Sequence, residues 1–407
     1  MTVTVPGTKT VPTSPLEQHL SADFYFLQEA LTDRENQSIL ELRDYFDREV
    51  QPIADEYWAR AEFPMQVIKP LAALGAYGAA WEESRQFENS AKYRGWAALE
   101  SGRADAGVST FIGVTSGLAM GSIGVGGSPE QRAEWLPKLA TGEIVGAFGL
   151  TEPLSGSDSA GGLRTTATRN GDSWILNGQK RWIGNATFAD VIVIWARDTA
   201  DGQVKGFLVT SDTPGFVATK IENKQSLRSV QNADIVLTDV EVPEERRLQK
   251  IDSFKGTAQV LRLTRADVAW QAVGNSIGAY EAAVKYVLER EQFGKTLSSF
   301  QLVQDLLSRC LGNITASIAL CMQVSQLLDE GRQTDAHSAL AKSFATSRMR
   351  ETVAWCREVM GGNGIVLDYG VARRFADAEA LYSFEGTREM NSLIVGRAIT
   401  GKSAFVS

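Results

Sequence analysis

Two short segments of the sequence carry residue types that could bind a large polar ligand and remove a proton. Residues 149–158, GLTEPLSGSD, follow an apolar stretch and combine turn residues with hydroxyl side chains. Such a loop offers backbone N–H groups and Ser or Thr oxygens to a ligand. Residues 384–387, FEGT, place the carboxylate of Glu385 between an aromatic residue and a glycine. Poor solvation there would raise the pKa of Glu385 and suit it to general base catalysis.

Each segment also has a simpler interpretation when it is taken alone. Thr151 and Ser157 are typical turn residues, and turn stabilisation alone would explain them. Glu385 would also stabilise the N-terminal end of a following helix by interacting with the helix dipole. The choice between these interpretations therefore depends on the elements that surround the two segments.

The composition limits the classes of function. The 407 residues are 43% hydrophobic and 22% charged, which is typical of a globular protein. The 49 acidic and 41 basic residues give a net charge of −8 without a visible basic stripe, so we expect no nucleic-acid partner. With only His19 and His337, a metal site or a nucleophilic site built on histidine is not expected.

The sequence shows no targeting pattern. The first residues lack the charged and then apolar regions of a signal peptide. No apolar run approaches the roughly 20 residues that are needed to cross a bilayer. The residues AFVS at 404–407 are not a peroxisomal tripeptide. We therefore expect a cytoplasmic protein without a membrane partner.

The pattern of secondary structure predicts three domains after an N-terminal tail. Residues 1–21 lack periodicity and are predicted to be a mobile tail. Residues 22–145 are predicted to form a helical domain, residues 146–255 a β-domain, and residues 256–407 a helical bundle. This order does not alternate strands with helices, so a dinucleotide-binding Rossmann domain is not expected.

Local signals mark several element boundaries. The residues TDRE at 32–35 have the spacing of a capping box at a helix start. Asn177-Gly178 predicts a tight turn, and residues 191–196 predict a strand. The glycines in residues 361–364 predict the end of a helix. A last helix is predicted over residues 388–399.

These elements, with five motifs in this order, resemble the acyl-CoA dehydrogenase family of flavoenzymes from about residue 23 to residue 402. The motifs are residues 148–158, 177–185 (NGQKRWIGN), 290–294 (REQFG), 360–364 (MGGNG) and 384–387. Within the family, the chain is most similar to plant-type short-chain acyl-CoA oxidases, through residues 56–64 and 180–190. It is also similar to the glutaryl-CoA dehydrogenase branch, through residues 393–401.

The resemblance implies both a fold and a reaction. The implied fold is multidomain α+β, with an N-terminal α-helical domain, a central β-barrel or sandwich domain and a C-terminal four-helix bundle. The implied reaction is FAD-dependent α,β-dehydrogenation of an acyl-CoA, in which Glu385 removes the α-proton while a hydride leaves to flavin N5. The backbone N–H of Glu385 and a flavin hydroxyl would stabilise the developing enolate. The resemblance also implies an electron-transfer flavoprotein as partner and a homotetramer.

The resemblance further implies the residues of the site. It implies the following contacts with FAD: Phe148, Leu150, Thr151, Gly156, Ser157, Trp182, Ile183, Gly184, Arg290, Phe293, Gln301, Glu358, Met360, Gly361, Gly362, Thr387 and Glu389. It implies four contacts with the substrate: Ser109, Ser157, Arg265 and Gly386. The chain departs from the family at Gly184, where a hydroxyl residue is common.

The position of Ser109 bears on the substrate. Glutaryl-CoA dehydrogenases carry there an arginine that binds the distal carboxylate, and a serine cannot form that charge pair. We therefore expect an uncharged acyl chain, and the likeness to short-chain oxidases favours a short one. An acyl-CoA oxidase that passes electrons to oxygen is an open alternative, because no linear motif distinguishes it from a dehydrogenase.

Two further alternatives stay open from the residues alone. A helical protein that binds acyl-CoA or a nucleotide without chemistry is disfavoured by Glu385 and by the complete loop at 149–158. A different flavin-dependent oxidase or monooxygenase on the same fold is possible in principle because fold does not fix chemistry. The presence of glutamate rather than another residue at position 385 favours the dehydrogenation.

Overall fold

The structure, a computed structural model, describes residues 19–404. The predicted mobile tail, residues 1–21, lies outside this range except for residues 19–21. The described chain folds as helices, then one sheet, then helices, and the predicted fold class is confirmed.

Seven helices form the N-terminal part. They are α1 Asp33–Tyr45, α2 Gln51–Arg60, α3 Ile68–Ala73, α4 Ala91–Ala104, α5 Ala106–Ile112, α6 Met120–Gly126 and α7 Pro129–Ala140. A π-helical segment, Gly113–Ala119, joins α5 to α6. The capping box that was predicted for α1 is confirmed, because the Thr32 and Glu35 side chains each accept a bond from the other residue's backbone N–H.

The central part is a single sheet of seven strands. They are β1 Gly146–Gly149, β2 Thr166–Asn170, β3 Ser173–Gly184, β4 Val191–Asp198, β5 Val204–Thr210, β6 Phe216–Lys220 and β7 Asn232–Pro243. The strand order is β1-β4-β2-β3-β7-β6, with β5 also paired to β4. β1 and β2 each pair with β4 in parallel, and the other pairs are antiparallel. The predicted strand at 191–196 is confirmed as part of β4.

The tight turn predicted at Asn177-Gly178 is wrong. Both residues lie inside β3, where the pairing with β7 shifts its register between Leu176 and Gly178. Gly178 has φ 153°, and a Cβ there would lie 2.5 Å from the Thr165 hydroxyl. The glycine therefore serves a bulge with close backbone approach, a role that this residue type shares with turns.

The C-terminal part contains five helices. They are α8 Phe254–Glu289, α9 Gln301–Asp329, α10 Asp335–Glu358, α11 Val371–Ser383 and α12 Arg388–Thr400, with a short hairpin of β8 Glu291–Gln292 and β9 Lys295–Thr296 after α8. α10 packs against the other four helices. The predicted helix end near residues 361–364 and the predicted last helix are confirmed.

Two helical stretches are long and apolar enough to cross a membrane by length and composition alone, Ala106–Gly126 and Gln301–Asp329. The expectation that no apolar run approaches this length is therefore wrong. The first stretch contains many Ser, Thr and Gly residues, so its sequence does not read as a continuous run of large apolar side chains. In the fold, the first stretch packs on β1 and α8, and the second packs on α8 and α10.

One buried carboxylate joins the three parts of the molecule. Asp377 on α11 accepts hydrogen bonds from the Trp58 indole at 2.8 Å and from the backbone N–H of Leu227 at 2.6 Å. Burial raises the pKa of Asp377 to about 7, against the field of Arg373. Because α11 leads directly into residues 384–387, this contact fixes that segment relative to the N-terminal helices and the sheet.

Candidate active site

The segment that carries Glu385 is a sharp turn between two helices. α11 ends at Ser383, and Thr387 caps α12 by accepting a hydrogen bond from the Met390 N–H. Glu385 has φ 56° and Gly386 has φ 82°, so two successive residues lie in the left-handed region. A residue with a side chain is strained there by about 1–3 kcal/mol, so the surroundings must hold Glu385 in place.

Lys342 and Asn391 hold this turn through its carbonyl groups. The buried ammonium of Lys342, on α10, donates to the Tyr382 carbonyl at 2.7 Å and to the Gly386 carbonyl at 2.9 Å. The Asn391 amide donates to the Gly386 carbonyl at 2.8 Å. Burial lowers the pKa of Lys342 to about 8. No motif in the sequence singled out Lys342, although a lysine between the buried alanines of α10 is a usable signal.

The carboxyl group of Glu385 contacts α8. Its Oε1 accepts a hydrogen bond from the Thr264 hydroxyl at 2.5 Å. Burial raises the pKa of Glu385, while the Thr264 hydrogen bond and the cations Arg265 and Lys342 oppose the rise. The Glu385 backbone N–H has no acceptor among residues 19–404. The turn thus combines a carboxyl group of raised basicity with an available donor, as enolate formation requires.

The predicted substrate residues Arg265 and Gly386 lie next to each other. A Cβ at Gly386 would lie 3.8 Å from Arg265 Nε. Arg265 Nε is buried and has no hydrogen-bond partner within the described chain. Ser109, by contrast, is buried on α5, where its hydroxyl pairs with the Ser101 hydroxyl at 2.8 Å. The serine hydroxyl is therefore already engaged inside the protein.

The hydroxyl-rich loop at 149–158 is anchored by a buried ion pair. Glu152 accepts hydrogen bonds from the Lys180 ammonium at 2.8 Å, from the Thr165 hydroxyl at 2.6 Å and from the Arg164 N–H at 2.7 Å. Burial alone would raise the pKa of Glu152, but Lys180 and these hydrogen bonds lower it. Burial lowers the pKa of Lys180 to about 8. No sequence motif indicated this pair, because its two residues lie 28 positions apart.

This anchoring leaves the predicted ligand-binding side of the loop accessible. Phe148 and Leu150 are buried in the core, Thr151 is partly buried, and Gly156 and Ser157 are exposed. The Thr151 carbonyl accepts a hydrogen bond from the Arg181 N–H at 2.8 Å. That bond brings the loop alongside residues 182–184 of β3.

Residues 182–184 present one aromatic ring beside the loop. Trp182 has φ 65° and is 51% exposed, whereas Ile183 and Gly184 are buried. A Cβ at Gly184 would lie 3.1 Å from Val114 in the π-helical segment, which explains why no hydroxyl side chain stands there. An exposed indole beside hydroxyl groups and backbone N–H groups suits a planar ring with a polar tail.

The remaining predicted cofactor residues lie in two other places. Thr387 and Glu389 follow the Glu385 turn, and Glu389 is exposed and paired with Arg388. The second place is the end of the bundle, where Asn363 donates to the Tyr286 hydroxyl at 2.9 Å. It contains Arg290, Phe293, Gln301, Glu358, Met360, Gly361 and Gly362. In the described part of the chain, no hydrogen bond or ion pair joins these seven residues to the loop at 149–158 or to Glu385.

Comparisons with known proteins cover nearly the whole chain. The acyl-CoA dehydrogenase N-terminal domain matches residues 32–143, the middle domain matches residues 147–240, and the C-terminal domain matches residues 254–400. The probable acyl-CoA dehydrogenase YngJ of Bacillus subtilis (strain 168) is 32% identical, over 90% of this chain and 98% of its own length.

Solved structures agree with these matches. A glutaryl-CoA dehydrogenase from Mycobacterium smegmatis, in complex with FADH2, is 33% identical with a TM-score of 0.91, covering 94% of this chain and 98% of its own. Butyryl-CoA dehydrogenase from Megasphaera elsdenii is 31% identical with a TM-score of 0.87, covering 91% and 98%. With its three domains matched in order, the chain belongs to the acyl-CoA dehydrogenase family.

Proposed function

We propose that this protein catalyses the FAD-dependent α,β-dehydrogenation of an uncharged, short-chain acyl-CoA to the trans-2-enoyl-CoA, with Glu385 as the base. The observation that carries the proposal is the Glu385 turn, in which a carboxyl group of raised pKa lies beside a backbone N–H without a protein acceptor. Family membership and the relatives named above support FAD as the cofactor.

The residues of this chain account for the proton transfer. Glu385 takes the α-proton, and its backbone N–H stabilises the negative charge that develops on the thioester oxygen. Arg265, whose buried Nε lacks a protein partner, is suited to bind the anionic CoA portion. Bound FAD would accept the β-hydrogen and the two electrons that leave the substrate.

The cofactor residues support a site that two subunits share. Phe148, Thr151, Ser157 and Trp182 would hold one part of FAD, and the separate group around Arg290 would hold a part of FAD bound to a neighbouring subunit. Large apolar side chains are exposed near that second group, among them Phe293 at 93% and Ile365 at 71%. We therefore propose a homotetramer that covers them.

The geometry around Ser109 supports an uncharged substrate. Its hydroxyl is bound to Ser101 and offers no cation to a distal carboxylate. We therefore disfavour glutaryl-CoA as the substrate, although a glutaryl-CoA dehydrogenase is among the similar structures. For the electron acceptor we propose an electron-transfer flavoprotein, with oxygen as the alternative; oxygen consumption during turnover would favour the oxidase.

Anaerobic bleaching of the flavin by a panel of acyl-CoAs tests the proposal. The panel contains butyryl-, hexanoyl-, octanoyl- and glutaryl-CoA. We expect bleaching by the uncharged short-chain thioesters. Glu385→Gln should keep FAD and lower the bleaching rate by at least about 10²-fold, the scale of general base catalysis.

Glu379→Gln is the matched control, because Glu379 lies on α11 and is exposed beside Arg350. It should bleach like the wild type. A colourless protein, or a yellow protein that no acyl-CoA bleaches, would contradict the proposed reaction. Equal bleaching by Glu385→Gln would remove Glu385 as the base.

A further inference from the structure

One face of α8 carries polar side chains at Thr264, which contacts Glu385, and at later positions along the helix. Thr264, Asp267 and Gln271 are spaced three and four residues apart, so they lie on one side of the helix. Asp267 stands one turn beyond Thr264, a rise of about 5 Å. A short acyl chain that extends along this face from the α-carbon, whose proton Glu385 would take, would reach Asp267.

The segment opposite this face lacks side chains where it approaches α8. A Cβ at Gly117 would lie 3.2 Å from the Thr264 methyl group and 3.6 Å from Asp267 Oδ2. A Cβ at Gly113 would lie 2.9 Å from the Gln271 amide nitrogen. The two glycines therefore let the backbone of the π-helical segment Gly113–Ala119 approach the polar face of α8 closely, and neither places a side chain against it.

Asp267 has no bonding partner inside the protein. Its carboxyl group makes no hydrogen bond and no ion pair with any residue from 19 to 404. It is partly buried, and burial together with the charge of Glu385 raises its pKa to about 7, against the field of Arg94. A carboxyl group that no protein donor binds is free to accept a hydrogen bond from a ligand.

A positive charge near Asp267 comes from Arg94, which lies on α4, the helix that packs on α8. It precedes Gly95 on α4, where a Cβ would lie 2.3 Å from the Trp270 ring. Its Nη1 donates to Asn89 Oδ1 at 2.9 Å and to the Asn89 carbonyl at 3.2 Å. Its Nε and Nη2 have no acceptor in the part of the chain that is described. Arg94 lies close enough for its charge to act on Asp267, but the two do not form an ion pair.

We propose that Asp267 selects acyl chains that carry a hydroxyl group beyond the β-carbon, by accepting a hydrogen bond from that hydroxyl. The inference rests on the proposed acyl-CoA dehydrogenation and names its substrate class. An uncharged group matches the site because the nearby charge of Arg94 disfavours a cationic group on the chain. A carboxylate on the chain would be repelled by Asp267, and a plain alkyl chain would leave Asp267 without a partner.

The test compares kcat/KM and anaerobic bleaching for matched acyl-CoAs of the holoenzyme. The pairs are butyryl- with 4-hydroxybutyryl-CoA and pentanoyl- with 5-hydroxypentanoyl-CoA, and 4-aminobutyryl- and glutaryl-CoA complete the set. For the wild type, we expect at least one hydroxyacyl-CoA to exceed its plain partner by about 10- to 100-fold, the scale of one hydrogen bond to a charged group.

Two variants assign the preference to the carboxyl group. Asp267→Leu should lose the preference for the hydroxyl group and favour the plain chains. Asp267→Asn keeps an acceptor oxygen of the same size and should retain most of the preference. FAD content and the thermal midpoint show whether each variant is folded.

Each outcome has a defined meaning. Equal or better turnover of the plain acyl-CoAs by the wild type would overturn the inference while leaving the dehydrogenation intact. A preference for the aminoacyl- or glutaryl-CoA would also overturn it. Absence of bleaching by every thioester would instead contradict the proposed function itself.

Discussion

Thr264 is one of the residues on other elements that lower the pKa of Glu385. Its hydroxyl donates to the carboxyl group and opposes the rise in pKa that burial causes. The sequence pointed to Glu385 through a motif and to Arg265 through the family resemblance. It could not identify Thr264, Lys342 or Asp267, because the chemistry of each depends on what the fold places opposite it.

Thr264→Val should shift the acid limb of the pH profile of kcat/KM to higher pH. Glu385, the proposed base, can take a proton only when it is deprotonated, so activity should be lost as pH falls through its pKa. Removing the hydroxyl removes an interaction that lowers this pKa, so the loss should begin at a higher pH. Thr264→Ser keeps the hydroxyl and should retain the wild-type profile. Identical profiles for all three proteins would show that this hydrogen bond does not set the pKa.

At the scale of elements, the loop at 149–158 depends on the adjoining strand. Lys180 on β3 holds Glu152, and the bulges in β3 give Trp182 its exposed position. The family resemblance singled out Trp182, and the sequence pattern predicted the loop as a run of turn residues after an apolar segment. The same pattern misplaced the turn at Asn177-Gly178, since a glycine that permits a bulge has the same signature as one that closes a hairpin.

Breaking the pair of Glu152 and Lys180 should loosen the loop. Glu152→Gln or Lys180→Met leaves one buried group without its charge partner, and each should lower the free energy of unfolding by about 3–5 kcal/mol. The double variant should lose less than the sum of the two. Urea unfolding and the fraction of bound FAD measure the effect, and additive losses would argue against coupling.

At the scale of the whole molecule, the N-terminal helices and the bundle meet where α4 crosses α8. Gly95 and Gly102 on α4, and Gly274 on α8, let the two helices approach closely. Hydrophobic periodicity predicted α8 from its apolar stripe, whereas α4 was predicted only as part of a helical region. The sequence could not predict this crossing, because a glycine inside a helix does not indicate which other helix packs against it.

Gly274→Ala should lower the free energy of unfolding by at least about 1–3 kcal/mol. Its Cβ would lie 2.0 Å from the Leu99 carbonyl oxygen and 2.7 Å from the Arg103 nitrogen, so backbone must move. Gly312→Ala, on α9 with no atom within 4 Å of the added Cβ, is the control and should be neutral or more stable by about 0.5–1 kcal/mol. Thermal unfolding of both variants compares them. Equal midpoints would mean that the crossing accommodates a methyl group.

The contacts of Asp377 have a consequence for biosynthesis. Asp377 on α11 binds Trp58 and Leu227 and leads into the Glu385 turn, which in turn needs Thr264 and Lys342. These four partners are translated far apart, and α11 comes after all of them. The turn therefore reaches its observed geometry only after α11 has docked on residues from the three parts of the chain. We expect the proposed base at Glu385 to form late in biosynthesis.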